Sequence, residues 1–323
     1  MHAMPIILSA IPDADEYRIG IRGRMKENMS MAHTGKRGYL LLFLFSTVFL
    51  FASAPEEPAE SGGTLTAFVS IPPQAYLIER IGGEHVSVYV LVKSGQDPHV
   101  FEPTPKQMVA LNEADVYFAL GFPFEEQVLK KVLSTNPRLV IAHTDRGIVR
   151  RTLDEYLREE KGEPDPHIWI GPEELRIQAR NVYEGLSRVD PNHEDFFRKN
   201  LESFLGDLDA VDERLARLLT PYRGKSFFVF HPAFGYFADA YGLIQVPIEI
   251  EGKSPTPKQI ETLIEKAREE GVRIIFVQPQ FDKRSADTIA QAIDGTVVSI
   301  DPLERDLLRN LEDLAQNIES ALR

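Results

Sequence analysis

Four short segments each place one good metal ligand in a Pro-rich setting: Asp97-Pro98-His99, Asp165-Pro166-His167, Phe230-His231-Pro232 and Ile300-Asp301-Pro302. Three neutral imidazoles and one carboxylate make a closed four-ligand set that suits a divalent transition metal, zinc above all. The ligands His99, His167, His231 and Asp301 are separated in turn by 68, 64 and 70 residues. No local zinc finger bridges such gaps, so a large fold must gather them. The chain contains no Cys, which leaves nitrogen and oxygen donors for any ion it holds.

Each segment has a blander reading when taken alone. A single His in a Pro-rich loop is more often a surface residue, His231 would pass as a satisfied core histidine, and Asp301 as a helix N-cap. The second Asp-Pro-His tips the balance, because two copies of an uncommon tripeptide suggest a shared task for His99 and His167. His85, His143 and His193 are expected to be structural or solvated, with His143 the one that could come near a cleft. Trp169 is expected to pack beside His167. Glu249 and Glu251 could hydrogen-bond an imidazole N–H, or equally line a solvated edge.

Elements must end where these residues stand. Apolar runs suited to buried strands fall at 64–70, 86–92, 116–120 and 139–142, and again at 226–230, 245–250, 274–277 and 296–300, alternating with amphipathic stretches of helical length. That alternation is the pattern of parallel strands with crossover helices. It predicts an α/β fold of two lobes without detectable sequence repetition, each with a mainly parallel four-stranded sheet. The lobes occupy 64–189 and 221–323, joined over 190–220 by one long rigid helix. Asp190 is placed to cap that helix, with Pro191 at its first position. Phe197, Leu201, Phe204, Leu208, Val211, Leu215 and Leu218 form one apolar stripe along it. His99, His231 and Asp301 follow strands, and open α/β sheets collect ligands at the carboxyl ends of strands. Facing lobes would bring all four ligands to one interlobe cleft.

Composition narrows the function classes. A formal net charge of −13 over 323 residues argues against nucleic acid and is mildly favourable to cations. Lys36-Arg37, the apolar run 40–52 and Ala52-Ser53-Ala54 follow the order of a signal peptide. The run is short for a membrane span, which needs about 20 apolar residues, so a tether is expected only if the segment stays uncleaved. With no Cys after it, a lipoprotein anchor is not expected. Residues 1–54 are therefore read as an N-terminal extension plus signal peptide and 55–63 as a spacer, with an extracytoplasmic globular part.

The chain resembles the metal-binding solute-binding proteins of zinc and manganese ABC transporters, the ZnuA/TroA type. The resemblance rests on DPHVFEPTP at 97–105, DPHIW at 165–169, HPAFGYF at 231–237 with Tyr241-Gly242-Leu243, SPTP at 254–257 and VVSIDPL at 297–303. It covers essentially all of 64–323, in order. The resemblance implies His99, His167, His231 and Asp301 as the ligands, Zn2+ as transported ligand with Mn2+ as the alternative, and a membrane permease as partner of a monomeric protein. Manganese-dedicated members tend to place a carboxylate where this chain has His231. Zinc-specific members often carry a His-rich acidic loop, whereas the corresponding stretch 146–165 is charged but has no His before the second Asp-Pro-His. Two other classes compete. Three imidazoles and a water also make a hydrolytic zinc site, but a fourth protein ligand would close it and no general base has a motif of its own. A surface adhesin finds no repeat or wall-anchoring segment to support it.

Overall fold

The computed structural model describes residues 64–153, 163–249 and 255–323. The export segment 1–54, the spacer 55–63, Glu251 and Ser254 lie outside the described residues. In the first lobe, strands β1 (Leu65–Val69), β2 (Val86–Val90), β3 (Val116–Ala119) and β4 (Val140–His143) form one sheet in the order β2-β1-β3-β4. In the second, β5 (Ser226–Val229), β6 (Ile244–Pro247), β7 (Ile274–Val277) and β8 (Thr296–Ser299) repeat that order as β6-β5-β7-β8. Every pairing between these strands is parallel. The strands stand within a few residues of the apolar runs; the largest shift is β6, which ends at Pro247, three residues short of 250. Proline is tolerated there because β6 is an edge strand, and backbone bonding runs on past it, the Ile248 N–H donating to the Val229 carbonyl at 2.9 Å and the Glu249 N–H to the Phe230 carbonyl at 3.0 Å.

Parallel sheets covered on both faces need apolar residues at successive positions. β5 shows this directly. Phe227 and Val229 enter the large core that runs through both lobes, while Phe228 and Phe230 enter a second core beneath the same sheet. Helices α1 (Pro72–Gly82), α2 (Pro105–Leu111), α3 (Pro123–Leu133) and α4 (Pro172–Val189) belong to the first lobe. After α5 (Glu194–Leu219), the second lobe carries α6 (Gly235–Tyr241), α7 (Pro257–Glu269), α8 (Arg284–Ala292) and α9 (Leu307–Leu322).

The lobes do repeat in one place, contrary to the expectation. Pro103-Thr104-Pro105-Lys106-Gln107 and Pro255-Thr256-Pro257-Lys258-Gln259 are the same five residues. They open α2 and α7, which follow the edge strands β2 and β6 in the two matching sheets. Each forms a capping box, with the Thr hydroxyl accepting from the Gln backbone N–H and the Gln amide oxygen accepting from the Thr N–H. Five residues are too few to stand out as a repeat until the sheets are seen to correspond.

α5 is the 26-residue strut between the lobes, roughly 40 Å long at 1.5 Å per residue. It packs against α1 and α4 of the first lobe and against α6 and α9 of the second. Its buried stripe is Phe197, Leu201, Phe204, Leu208, Val211, Leu215 and Leu219, with Leu218 only half-buried at the edge. The start differs from the expectation. Asp190 does not cap a helix beginning at Pro191; a short 3-10 turn over Pro191–His193 intervenes. The Asp190 carboxylate is taken by His193 Nδ1 at 2.6 Å instead. His193 in turn stacks on His85, with ring centroids 3.7 Å apart, so these two histidines serve the base of the strut.

Because this stripe fixes both lobes to one rod, deleting one of its large side chains should be felt by the whole molecule. Phe204→Ala is expected to cost about 3–5 kcal/mol, read as a lowered denaturant midpoint by circular dichroism. A loss below about 1 kcal/mol would contradict a shared core built on α5.

Candidate metal centre

All three predicted histidines meet. His99 follows β2 through a loop whose last turn, Pro98–Val100, is held by the Asp97 carboxylate accepting the His99 N–H at 2.9 Å. Asp165 repeats the device, its Oδ1 accepting the His167 N–H at 2.9 Å. This is the Asx turn that Asp favours, and it gives the duplicated tripeptide a common geometry. His231 lies two residues beyond β5, where the buried side chain of Gln278 brackets its main chain: Oε1 accepts the His231 N–H at 3.1 Å and Nε2 donates to its carbonyl at 2.6 Å.

The imidazoles converge through Nε2. His231 Nε2 is 3.0 Å and His99 Nε2 is 3.3 Å from His167 Nε2, and one ligand nitrogen from each of the three lies within 4.8 Å of the others. A cavity of about 10 Å³ adjoins them, room for roughly one water or a bare ion. The other ring nitrogen of two of these histidines has a carboxylate partner. Asp165 Oδ1 is 2.6 Å from His167 Nδ1, and Glu249 pairs with His231 Nδ1. Such partners hold the ring proton on Nδ1 and leave the Nε2 lone pair for an ion. Two bare lone pairs 3.0 Å apart repel unless a cation stands between them. Two imidazoles bound about 2.0–2.1 Å from one tetrahedral zinc have their nitrogens roughly 3.3 Å apart, close to the spacing found. The donor set therefore fits a small divalent ion.

Charge and packing support the same protonation state. All three imidazoles are held below the ordinary histidine range. Loss of hydration around the ring is the main cause in each, with His167 and His231 buried and His99 still exposed as a residue. For His99 the next cause is the neighbouring His231; for His167 and His231 their carboxylates pull partly the other way. Burial alone would raise the Asp165 carboxyl, but its interactions with His167 and Arg151 outweigh this and hold it below the carboxylate range. Aromatic rings fill the remaining wall. Phe281 stacks on His231 at 4.6 Å, and Trp169 meets His167 edge-on at 5.3 Å. Trp169 Nε1 also donates across to the Pro302 carbonyl at 2.7 Å, a tie between lobes beyond the packing role expected of it.

Asp301 is the one predicted ligand outside the three-nitrogen cluster. It follows β8 by two residues, and its Oδ1 accepts the Leu303 N–H at 2.9 Å and the Gln280 Nε2–H at 2.8 Å. Its neighbours Pro302 and Leu303 line the cavity. His143 ends β4 exposed, with Nδ1 3.7 Å from Asp145 Oδ1, and is not in the cluster.

Several contributors escaped the sequence reading. Arg151 reaches Asp165 through Nη1 at 3.2 Å and Asp239 of α6 through Nε at 2.9 Å, linking a histidine's partner to the second lobe. Its side chain crosses Gly235, where a Cβ would lie 1.8 Å from the guanidinium. Tyr236 OH adds a bond to the Asp165 carbonyl at 2.9 Å. Gln278 and Gln280 were also missed. Two glutamines at alternate positions just past an apolar strand, in Val277-Gln278-Pro279-Gln280, were the available signal.

Comparison with known proteins identifies the family of the chain. The family ZnuA, zinc-uptake complex component A periplasmic, matches residues 68–321. The chain belongs to this family. A crystal structure of ZnuA is 37% identical with a TM-score of 0.76, covering 81% of this chain and 100% of that one. A 138-173 ZnuA deletion mutant with zinc bound is 37% identical with a TM-score of 0.75, covering 80% of this chain and 98% of that one. The manganese ABC transporter substrate-binding lipoprotein PsaA of Streptococcus mitis is 32% identical over 270 residues, 79% of this chain and 86% of that protein. ZnuA-type proteins are metal-binding substrate-binding proteins of ABC transporters, working with a membrane permease, and they are not enzymes. That answers the hydrolase alternative.

The depressed imidazoles carry a sign for stability. Without metal, the folded chain binds these protons more weakly than the unfolded chain, whose imidazoles titrate near ~6.5. Stability from these groups is thus complete above that pH and is lost as pH falls toward the lower folded values. In chelator, the urea midpoint is expected to hold between about pH 7 and 8 and to drop between about 6.5 and 5. His167→Gln should flatten the drop; an unchanged slope in that variant would contradict buried neutral imidazoles.

Proposed function

We propose that this protein captures zinc outside the cytoplasm, in preference to manganese, and delivers it to the permease of an ABC transporter. The observation that carries the reading is the meeting of three imidazole Nε2 atoms, with carboxylates on the opposite nitrogen of His167 and His231. His99, His167 and His231 supply three ligands. Asp301 supplies the fourth: both N–H donors go to its Oδ1, so Oδ2 remains available to the ion. Delivery to a permease and an extracytoplasmic location are supported by the periplasmic and lipoprotein relatives, and by the basic, apolar and Ala-Ser-Ala segments within residues 36–54.

The manganese reading has a specific observation in its favour, the 32% identity to a protein named for manganese transport. The donor set argues the other way. Three nitrogens and one carboxylate are softer than manganese prefers, and zinc also stands above manganese in the Irving–Williams order.

Zinc is expected to bind at least about tenfold tighter than manganese, roughly 1.4 kcal/mol, in a competition titration of the purified protein. His231→Glu should narrow the gap by hardening the site. Equal or tighter manganese binding by the parent protein would overturn the zinc assignment. Single His231→Ala and Asp301→Ala variants should each weaken zinc binding, and parental affinity in both would refute this ligand set.

A further inference from the structure

Gln280 stands at the join between the histidine cluster and Asp301. It follows β7 by three residues and lines the cavity beside His99, His167 and His231. Its Nε2 donates to Asp301 Oδ1 at 2.8 Å. Its Oε1 is buried and has no hydrogen-bond partner among the described residues. Turning the amide over would set two oxygens against each other at the Asp301 carboxylate, so the orientation is dictated by the acid. Buried amide oxygens are nearly always paired, and an unpaired one beside a ligand cavity calls for a donor that arrives with the ligand. A water on a divalent ion is such a donor, since the ion polarises its O–H bonds.

We propose that Gln280 is the positioning residue for the fourth coordination place of the ion. Through Nε2 it holds Asp301 by Oδ1, which leaves Oδ2 to face the ion. Through Oε1 it accepts a hydrogen bond from a water that the arriving ion still carries. The same amide thus steadies the incoming carboxylate and receives the outgoing water. The Leu303 N–H, also on Oδ1 at 2.9 Å, fixes the turn, but it is a main-chain group and cannot reach both partners. This inference rests on the metal-capture reading above.

The test is a double-mutant cycle on zinc affinity, with cobalt(II) as a spectroscopic probe of coordination. Gln280→Leu is expected to weaken zinc binding by roughly tenfold or more. In an Asp301→Ala background it should change affinity by less than about twofold, because coupled residues are not additive. The cobalt absorption of Gln280→Leu should move toward that of Asp301→Ala, while the melting temperature of the metal-free protein stays level or rises as an unpaired buried acceptor is removed. Gln280→Ala is measured alongside, so that a folding defect peculiar to leucine does not decide the result. Equal losses in both backgrounds, or a parental cobalt spectrum in Gln280→Leu, would overturn the proposal. So would parental zinc affinity in Asp301→Ala alone, with the three-histidine reading left standing. Failure of the parent protein to bind zinc or cobalt at all would instead overturn the metal-capture reading itself.

Discussion

Lone pairs on neighbouring imidazoles repel, and this protein turns three of them toward one point. What opposes the repulsion is the pairing on the far side of two rings. Asp165 and Glu249 hold His167 and His231 by Nδ1, which fixes both the tautomer and the ring direction. Hydrogen bonds to charged groups contribute about 1.5–3 kcal/mol each, enough to keep buried rings from turning away. The carboxylates need anchors in turn. Arg151 supplies one for Asp165, while Glu249 is 5% exposed, following β6 at the end of the second sheet. The site is thus braced from outside inward, with each layer fixing the orientation of the next.

That bracing works only if the sheets keep their places. The α5 stripe packs against helices of both lobes, and its apolar residues belong to the same continuous core as Trp169 and the first-lobe strands. Direct ties between the lobes add to it near the site. Trp169 Nε1 reaches Pro302, and Arg151 reaches Asp239. Packing sets the coarse placement of the histidine-bearing loops, and a few hydrogen bonds set the fine one.

Much of this was legible in the residues. Apolar runs with crossover-length helices between them announce parallel sheets, and Asp-Pro-His written twice announces a shared turn. The partners of the clustered histidines were harder to read, because the information is not local. Asp165 is visible as part of a motif, but its pairing with Arg151 brings together residues 14 apart in sequence. Glu249 could be nominated from its place after a strand, yet only the folded sheet shows it against His231 rather than water. Asp190 misled because it has two attractive partners, a helix start and an imidazole three residues on, and sequence does not rank them. The shared Pro-Thr-Pro-Lys-Gln went unread because capping residues recur in many helices, and only matching sheet positions make the coincidence meaningful.

One local device recurs at three corners of the site. In Asp97-Pro98-His99, Asp165-Pro166-His167 and Asp301-Pro302-Leu303, the Asp Oδ1 accepts the backbone N–H two residues later. Proline fixes φ of the middle residue, and the carboxylate closes the turn from within. These loops are stiff before any ion arrives. Little chain entropy then has to be surrendered at the moment of capture. An ion binding at such a site would find its donors already oriented, so that donor chemistry rather than loop ordering would set the affinity.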